Sequence, residues 1–138
     1  MEDLRILIVE DDERIYNDIY KRNIDLFNKE NSEFQVKQTW INSKDEAISA
    51  LKNPENNFDG AIVDLDLIGT GGSDSSGNEV VKEIKHNLRF PTFVITGTPH
   101  HISDELNSPN AIFNVYERDS VDVFATLEKF KAIKATGI

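Results

Sequence analysis

Along the chain, runs of apolar residues alternate with amphipathic stretches, the pattern expected of a parallel sheet covered by helices on both faces. Leu4-Arg5-Ile6-Leu7-Ile8-Val9 carries its apolar residues without alternation, as a strand buried on both faces does. Asp12 to Phe27 predicts a helix, with Ile15 and Ile19, then Tyr16 and Tyr20, at four-residue spacing and Phe27 further along that side. Phe34 to Trp40 reads as a less buried strand. Ser43-Lys44-Asp45-Glu46 is a capping box that opens a short helix carrying Ala47, Ile48 and Leu51, and Asn53-Pro54 stops it. Asp59 to Asp64 is a third strand. The polar stretch Gly69 to Gly77 leads to a helix with Val80, Val81, Ile84 and Leu88 on one side. Pro91 to Thr96 is a fourth strand, with Pro at its first position, where no ladder donor is lost. Pro99 and Pro109 shorten any helix between Gly97 and Asn110. Ala111 to Tyr116 is a fifth strand, and Asp119 or Ser120 caps a last helix that buries Val123 or Phe124, Leu127 and Phe130.

This alternation predicts an α/β fold, one doubly wound domain over residues 1–138 with its core at about 4–133. A length of 138 residues suits a single core, and neither an internal repeat nor a linker divides it. The chain has no cysteine, which removes disulfide scaffolds, Cys-type zinc sites and thiol catalysis and suits a reducing cytosol. Its longest unbroken apolar run is Ile6 to Val9, far short of the roughly 20 residues a bilayer requires. No charged-then-apolar leader opens it. The net charge of −10 argues against gripping nucleic acid or an anionic membrane. The expectation is an acidic domain of the cytoplasm.

In doubly wound folds, ligands bind beyond the carboxyl ends of the strands. There the sequence supplies Glu10-Asp11-Asp12, Asp64, Thr96 and Glu117-Arg118. Asp12 alone reads as a helix cap. Asp64 is different, because it directly follows the apolar Ala61-Ile62-Val63, and a carboxylate there is desolvated unless a cation or hydrogen bonds compensate. Bringing Glu10, Asp11 and Asp64 together would crowd three negative charges. Oxygen-only ligands favour a hard ion, Mg²⁺ or Ca²⁺. Mg²⁺ is the better match, since three side chains leave coordination places for water and a phosphate.

Ile6-Leu7-Ile8-Val9-Glu10-Asp11-Asp12-Glu13, then Ile62-Val63-Asp64-Leu65-Asp66, then Val94-Ile95-Thr96-Gly97 resembles the receiver domain of bacterial two-component response regulators. The resemblance runs from Leu4 to about Ile133. It implies a flavodoxin-like sheet of strand order 2-1-3-4-5. It also implies a phosphoacceptor switch that is not an enzyme in its own right. By that resemblance, Asp64 is the phosphoacceptor, attacking a phosphohistidine of a sensor histidine kinase or a histidine phosphotransfer protein. Glu10 and Asp11 hold Mg²⁺, joined by the backbone carbonyl of Asp66, and the Thr96 hydroxyl meets the phosphoryl group. The family's face of fourth helix, fifth strand and fifth helix implies an output-domain or homodimer contact.

The chain departs from the family in two places. Where the family carries a Lys followed by a cis-Pro, this sequence has Arg118 and Asp119, and Val115, with Tyr116 beside it, stands at the aromatic switch position. Arg keeps the positive charge in a larger, planar group. The link from Asp64 to Gly77 is also long, with Gly69 to Ser76 supplying the excess. It reads as a surface insertion rather than a phosphate-binding turn, since Gly69-x-Gly71 lacks the third glycine. His100 and His101 read as solvated loop residues. The alternative to a phosphoacceptor is a degenerate receiver that binds partners without phosphorylation. An aspartate-nucleophile phosphatase, suggested by Asp64-Leu65-Asp66, would carry that motif on its first strand and need a cap domain, which disfavours it.

Overall fold

A computed structural model describes residues 1–64, 77–84, 90–96, 113–117 and 122–136, with backbone alone at 77–78, Thr96, 113–117 and Thr136. Five parallel strands form one sheet in the order β2-β1-β3-β4-β5, with β1 at Glu2–Val9, β2 at Phe34–Ile41, β3 at Gly60–Asp64, β4 at Thr92–Thr96 and β5 at Phe113–Glu117. The strand order is the flavodoxin-like one. β1 and β3 lie in the interior of the sheet. Leu4, Ile6, Leu7, Ile8 and Val9 are fully buried, as their non-alternating pattern requires. β2 lies at an edge and mixes buried with exposed positions.

Strand alternation divides the core into two layers. Ile6, Ile8, Ile62, Phe93 and Ile95 belong to one cluster, completed by Tyr16, Tyr20, Ile24 and Phe27 from the first helical stretch and by Val123, Leu127 and Phe130 from the last helix. Leu7, Val9, Ala61, Val63 and Val94 belong to the other, where they meet Ala47, Leu51, Val80, Val81 and Ile84. The latter residues come from α3 (Lys44–Lys52) and from α4 (Gly77–Glu83) with Ile84 following it. Ser43 caps α3, its hydroxyl accepting from the Glu46 N–H at 3.3 Å, and the helix ends just before Asn53-Pro54.

The structure corrects several boundaries. The first helical stretch continues past Phe27 to Glu30 and has three parts: α1 (Glu13–Ile15), a π-helical turn (Tyr16–Lys21) and α2 (Arg22–Glu30). A π turn closes its hydrogen bonds one residue later than an α turn. Tyr16, Tyr20, Ile24 and Phe27 are buried, while Ile15 and Ile19 pack against the same cluster only partly buried. β1 starts at Glu2, whose N–H donates to the Glu33 carbonyl at 3.0 Å. β5 is described from Phe113, which pairs with Thr92, and takes in Glu117; Ala111 and Ile112 lie outside the described residues. The last helix, α5 (Val123–Thr136), is capped by Asp122, whose carboxylate accepts from the Ala125 N–H at 3.0 Å. The expected caps Asp119 and Ser120 lie outside the described residues, as do Leu88, the 69–76 insertion and the segment 97–110.

Candidate functional site

β1 and β3 run side by side with Val9 paired to Val63, so the next step of each chain brings Glu10 beside Asp64. Alternation puts both on the face of Ile8 and Ile62. Glu10, Asp11 and Asp64 each offer a carboxylate oxygen, and these three atoms lie within 4.8 Å of one another. Glu10 and Asp64 are each only 1% exposed, and Asp11 is half-buried. At such separations two ionised carboxylates repel by roughly 3 kcal/mol at the effective dielectric of a protein site. Burial adds a desolvation cost to each. A dication would compensate that charge, and all-oxygen donors suit a hard one.

Local hydrogen bonds explain how the chain holds this loop. The Glu10 N–H donates to the Ile41 carbonyl at 3.0 Å, extending the β1–β2 ladder one step beyond the strand. The Glu10 carboxylate accepts from the Asp12 N–H at 3.2 Å. Asp12 caps α1, accepting from the Arg14 N–H at 2.9 Å and the Ile15 N–H at 3.4 Å, as its sequence position suggests. Trp40 completes the frame, its indole N–H donating to the Glu10 carbonyl at 2.8 Å. Sequence reasoning took Trp40 only as a strand residue. Its one distinguishing mark was being the single tryptophan of the chain, at the end of a strand.

Thr96 closes β4, one residue beyond Ile95, the backbone partner of Asp64. Its backbone thus reaches the same sheet edge as the acidic group. Glu117 pairs with Thr96 at the end of β5. Asp66, Gly97, His100, His101, Arg118 and Asp119 lie outside the described residues. The site opens where β1 has neighbours leading in opposite directions, β2 on one side and β3 on the other. That is the switch point at which doubly wound sheets bind ligands.

Solved structures share this fold. The phosphorylated cyanobacterial phytochrome response regulator RcpA aligns over 96% of this chain and 91% of its own, with a TM-score of 0.59 and 21% identity. The PhyR response regulator REC domain of Erythrobacter litoralis aligns over 96% and 92%, with a TM-score of 0.63 and 16% identity. The chain has the fold of a response regulator receiver domain. A sensor protein from Polaromonas sp. JS666 shares the receiver-like fold over 93% of both chains, with a TM-score of 0.57 and 18% identity. No family model and no curated protein matches the sequence. Within this receiver fold, the acidic group occupies the carboxyl edge between β1 and β3, and its donors fit a hard dication. Among the described residues, no helix is long and apolar enough to cross a membrane.

Proposed function

We propose that this receiver-fold chain is the phosphoacceptor of a two-component phosphorelay, with Asp64 as the residue modified. The observation that carries the reading is the convergence of buried Asp64 with Glu10 and Asp11 at the ligand-binding edge of the sheet. The phosphoryl donor is a phosphohistidine on a sensor histidine kinase or a phosphotransfer protein. An Asp64 oxygen attacks phosphorus in line as the P–N bond breaks. The bonding pair stays on the imidazole nitrogen, and an acyl phosphate forms on Asp64. Such transfers depend on position and charge neutralisation more than on proton movement.

Glu10 and Asp11 would hold Mg²⁺ together with Asp64 and the Asp66 carbonyl, and the ion supplies positive charge against the phosphoryl oxygens. The Thr96 hydroxyl and the Arg118 guanidinium are the groups assigned to the arriving phosphoryl. The product is a regulatory state of a cytoplasmic protein rather than a released molecule. An output domain or a second copy would read it.

Incubation with acetyl phosphate and Mg²⁺, followed by intact-mass spectrometry, tests this. Wild type should gain one phosphoryl group and Asp64→Asn none. Equal labelling of the two proteins would refute the assignment. Arg118-Asp119 in place of the family's Lys-Pro favours a second reading, a receiver that binds its partner without phosphorylation. An unlabelled wild type that still binds its kinase would support that one.

A further inference from the structure

Trp40 and Tyr16 lie outside the acidic group yet are joined to its backbone. Their rings stack with centroids 4.1 Å apart and planes 5° from parallel. The Tyr16 phenol donates to the Gln38 side chain, two residues before Trp40 on β2 and so on the same strand face. The Trp40 indole N–H donates to the Glu10 carbonyl at 2.8 Å. Tyr16 opens the π turn, and its N–H donates to the Asp12 carbonyl at 3.0 Å. The segment Glu10-Asp11-Asp12 is therefore held at both ends. Glu10 is fixed to the end of β2 through Ile41 and Trp40, and Asp12 to the start of the helix through its cap and through Tyr16. Asp11 lies between the two anchors.

We propose that the Trp40–Tyr16 stack is a positioning device for the metal-binding loop, setting the separation of the Glu10, Asp11 and Asp64 carboxylates. This rests on the reading of that group as a Mg²⁺ site. Tyr16 opens the π turn, and its ring covers the indole while it shares one core cluster with Tyr20. Because the indole N–H reaches a main-chain carbonyl, the constraint acts on the loop backbone and through it on the acidic side chains. Preorganised carboxylates need less rearrangement when a small, geometrically demanding ion arrives.

Titration calorimetry with MgCl₂ on the whole chain, paired with melting in metal-free buffer, tests the proposal. Trp40→Phe keeps an aromatic ring for Tyr16 to cover and removes only the N–H donor. It should weaken Mg²⁺ binding roughly three- to tenfold, the factor a single hydrogen bond supports. Tyr16→Phe, which loses only the tether to Gln38, should weaken it less and serves if the first variant does not fold. Trp40 is the sole indole, so its emission in wild type should change with the same midpoint as the calorimetric isotherm. Mg²⁺ affinity left unchanged in a folded Trp40→Phe, whatever its melting temperature, would show the stack to be packing alone, with the metal reading intact. A wild type that binds no Mg²⁺ would remove both.

Discussion

A β-carbon built on Gly60 would lie 2.3 Å from Cε1 and 2.6 Å from Cδ1 of the Phe130 ring. Gly60 starts β3, the strand that ends in Asp64, and Phe130 belongs to α5. The ring has little freedom to retreat. It is 2% exposed and packs edge-on against Phe93 at 4.9 Å between centroids. The absent side chain of Gly60 is therefore what lets α5 close onto the strand that carries the candidate phosphoacceptor.

Gly60→Ala should accordingly destabilise the fold by about 1–3 kcal/mol through overpacking. Urea denaturation measures this as a lower midpoint at unchanged slope. Pairing it with Phe130→Leu should recover part of the loss, because the two changes share one space and are not additive. A Gly60→Ala protein as stable as wild type would mean that the ring moves aside freely.

Mutual repulsion in the acidic group gives a second expectation. Asp11→Asn should melt higher than wild type without divalent metal, since one repelling charge is gone. Mg²⁺ at ten times its Kd should stabilise wild type by about 1.4 kcal/mol, a few degrees for a domain of this size, and the variant much less. The comparison is made at matched ionic strength, because salt alone screens a net charge of −10. Equal gains in both proteins would argue against a specific site.

Arg118 stands in the sequence where the resemblance places a lysine. Arg118→Ala should slow acetyl phosphate labelling of Asp64 several-fold or blunt the conformational response to it, while Arg118→Lys should retain both. Labelling time courses by mass spectrometry separate these outcomes. An alanine variant indistinguishable from wild type would remove Arg118 from the phosphoryl site.

Tyr16 gives an alkaline signature. Burial raises its phenol above the usual 10.0, and the nearby Asp25 carboxylate pushes in the same direction, against a smaller opposing effect of the Gln38 hydrogen bond. The folded protein thus holds this proton after the unfolded chain has released it. The associated stability is complete below pH 10 and is lost as pH rises through the folded-state value. Tyr16→Phe should flatten that alkaline fall in melting temperature. A fall of unchanged steepness would place its cause in other groups.

Much of this architecture was legible along the chain because it depends on near neighbours. Ile6 to Val9 could only be a doubly buried strand, Ser43 with Glu46 marked a helix start, and Asp12 read as the cap it forms. Caps and strand burial follow from residues within a few positions of one another, so local composition reports them. The order of Glu10-Asp11, Asp64 and Thr96 along the sequence likewise pointed to one edge of a sheet, since each follows an apolar run.

Other features exist only once distant segments meet. The approach of Glu10 to Asp64 depends on Val9 pairing with Val63, 54 positions away in a register that no local pattern encodes. The π turn over Tyr16–Lys21 leaves no mark in the spacing of Ile15, Tyr16, Ile19 and Tyr20. The Asp122 cap of α5 was one of several competent positions in the sequence, and it depends on where the helix begins. The hold of Trp40 on Glu10 spans 30 positions. Sequence alone determined which segments are strands and helices and which carboxylates stand at their ends, because short-range sterics and hydrophobic periodicity act on neighbours. The tertiary structure decided which of those ends touch, because strand pairing and packing act between segments that the chain keeps far apart.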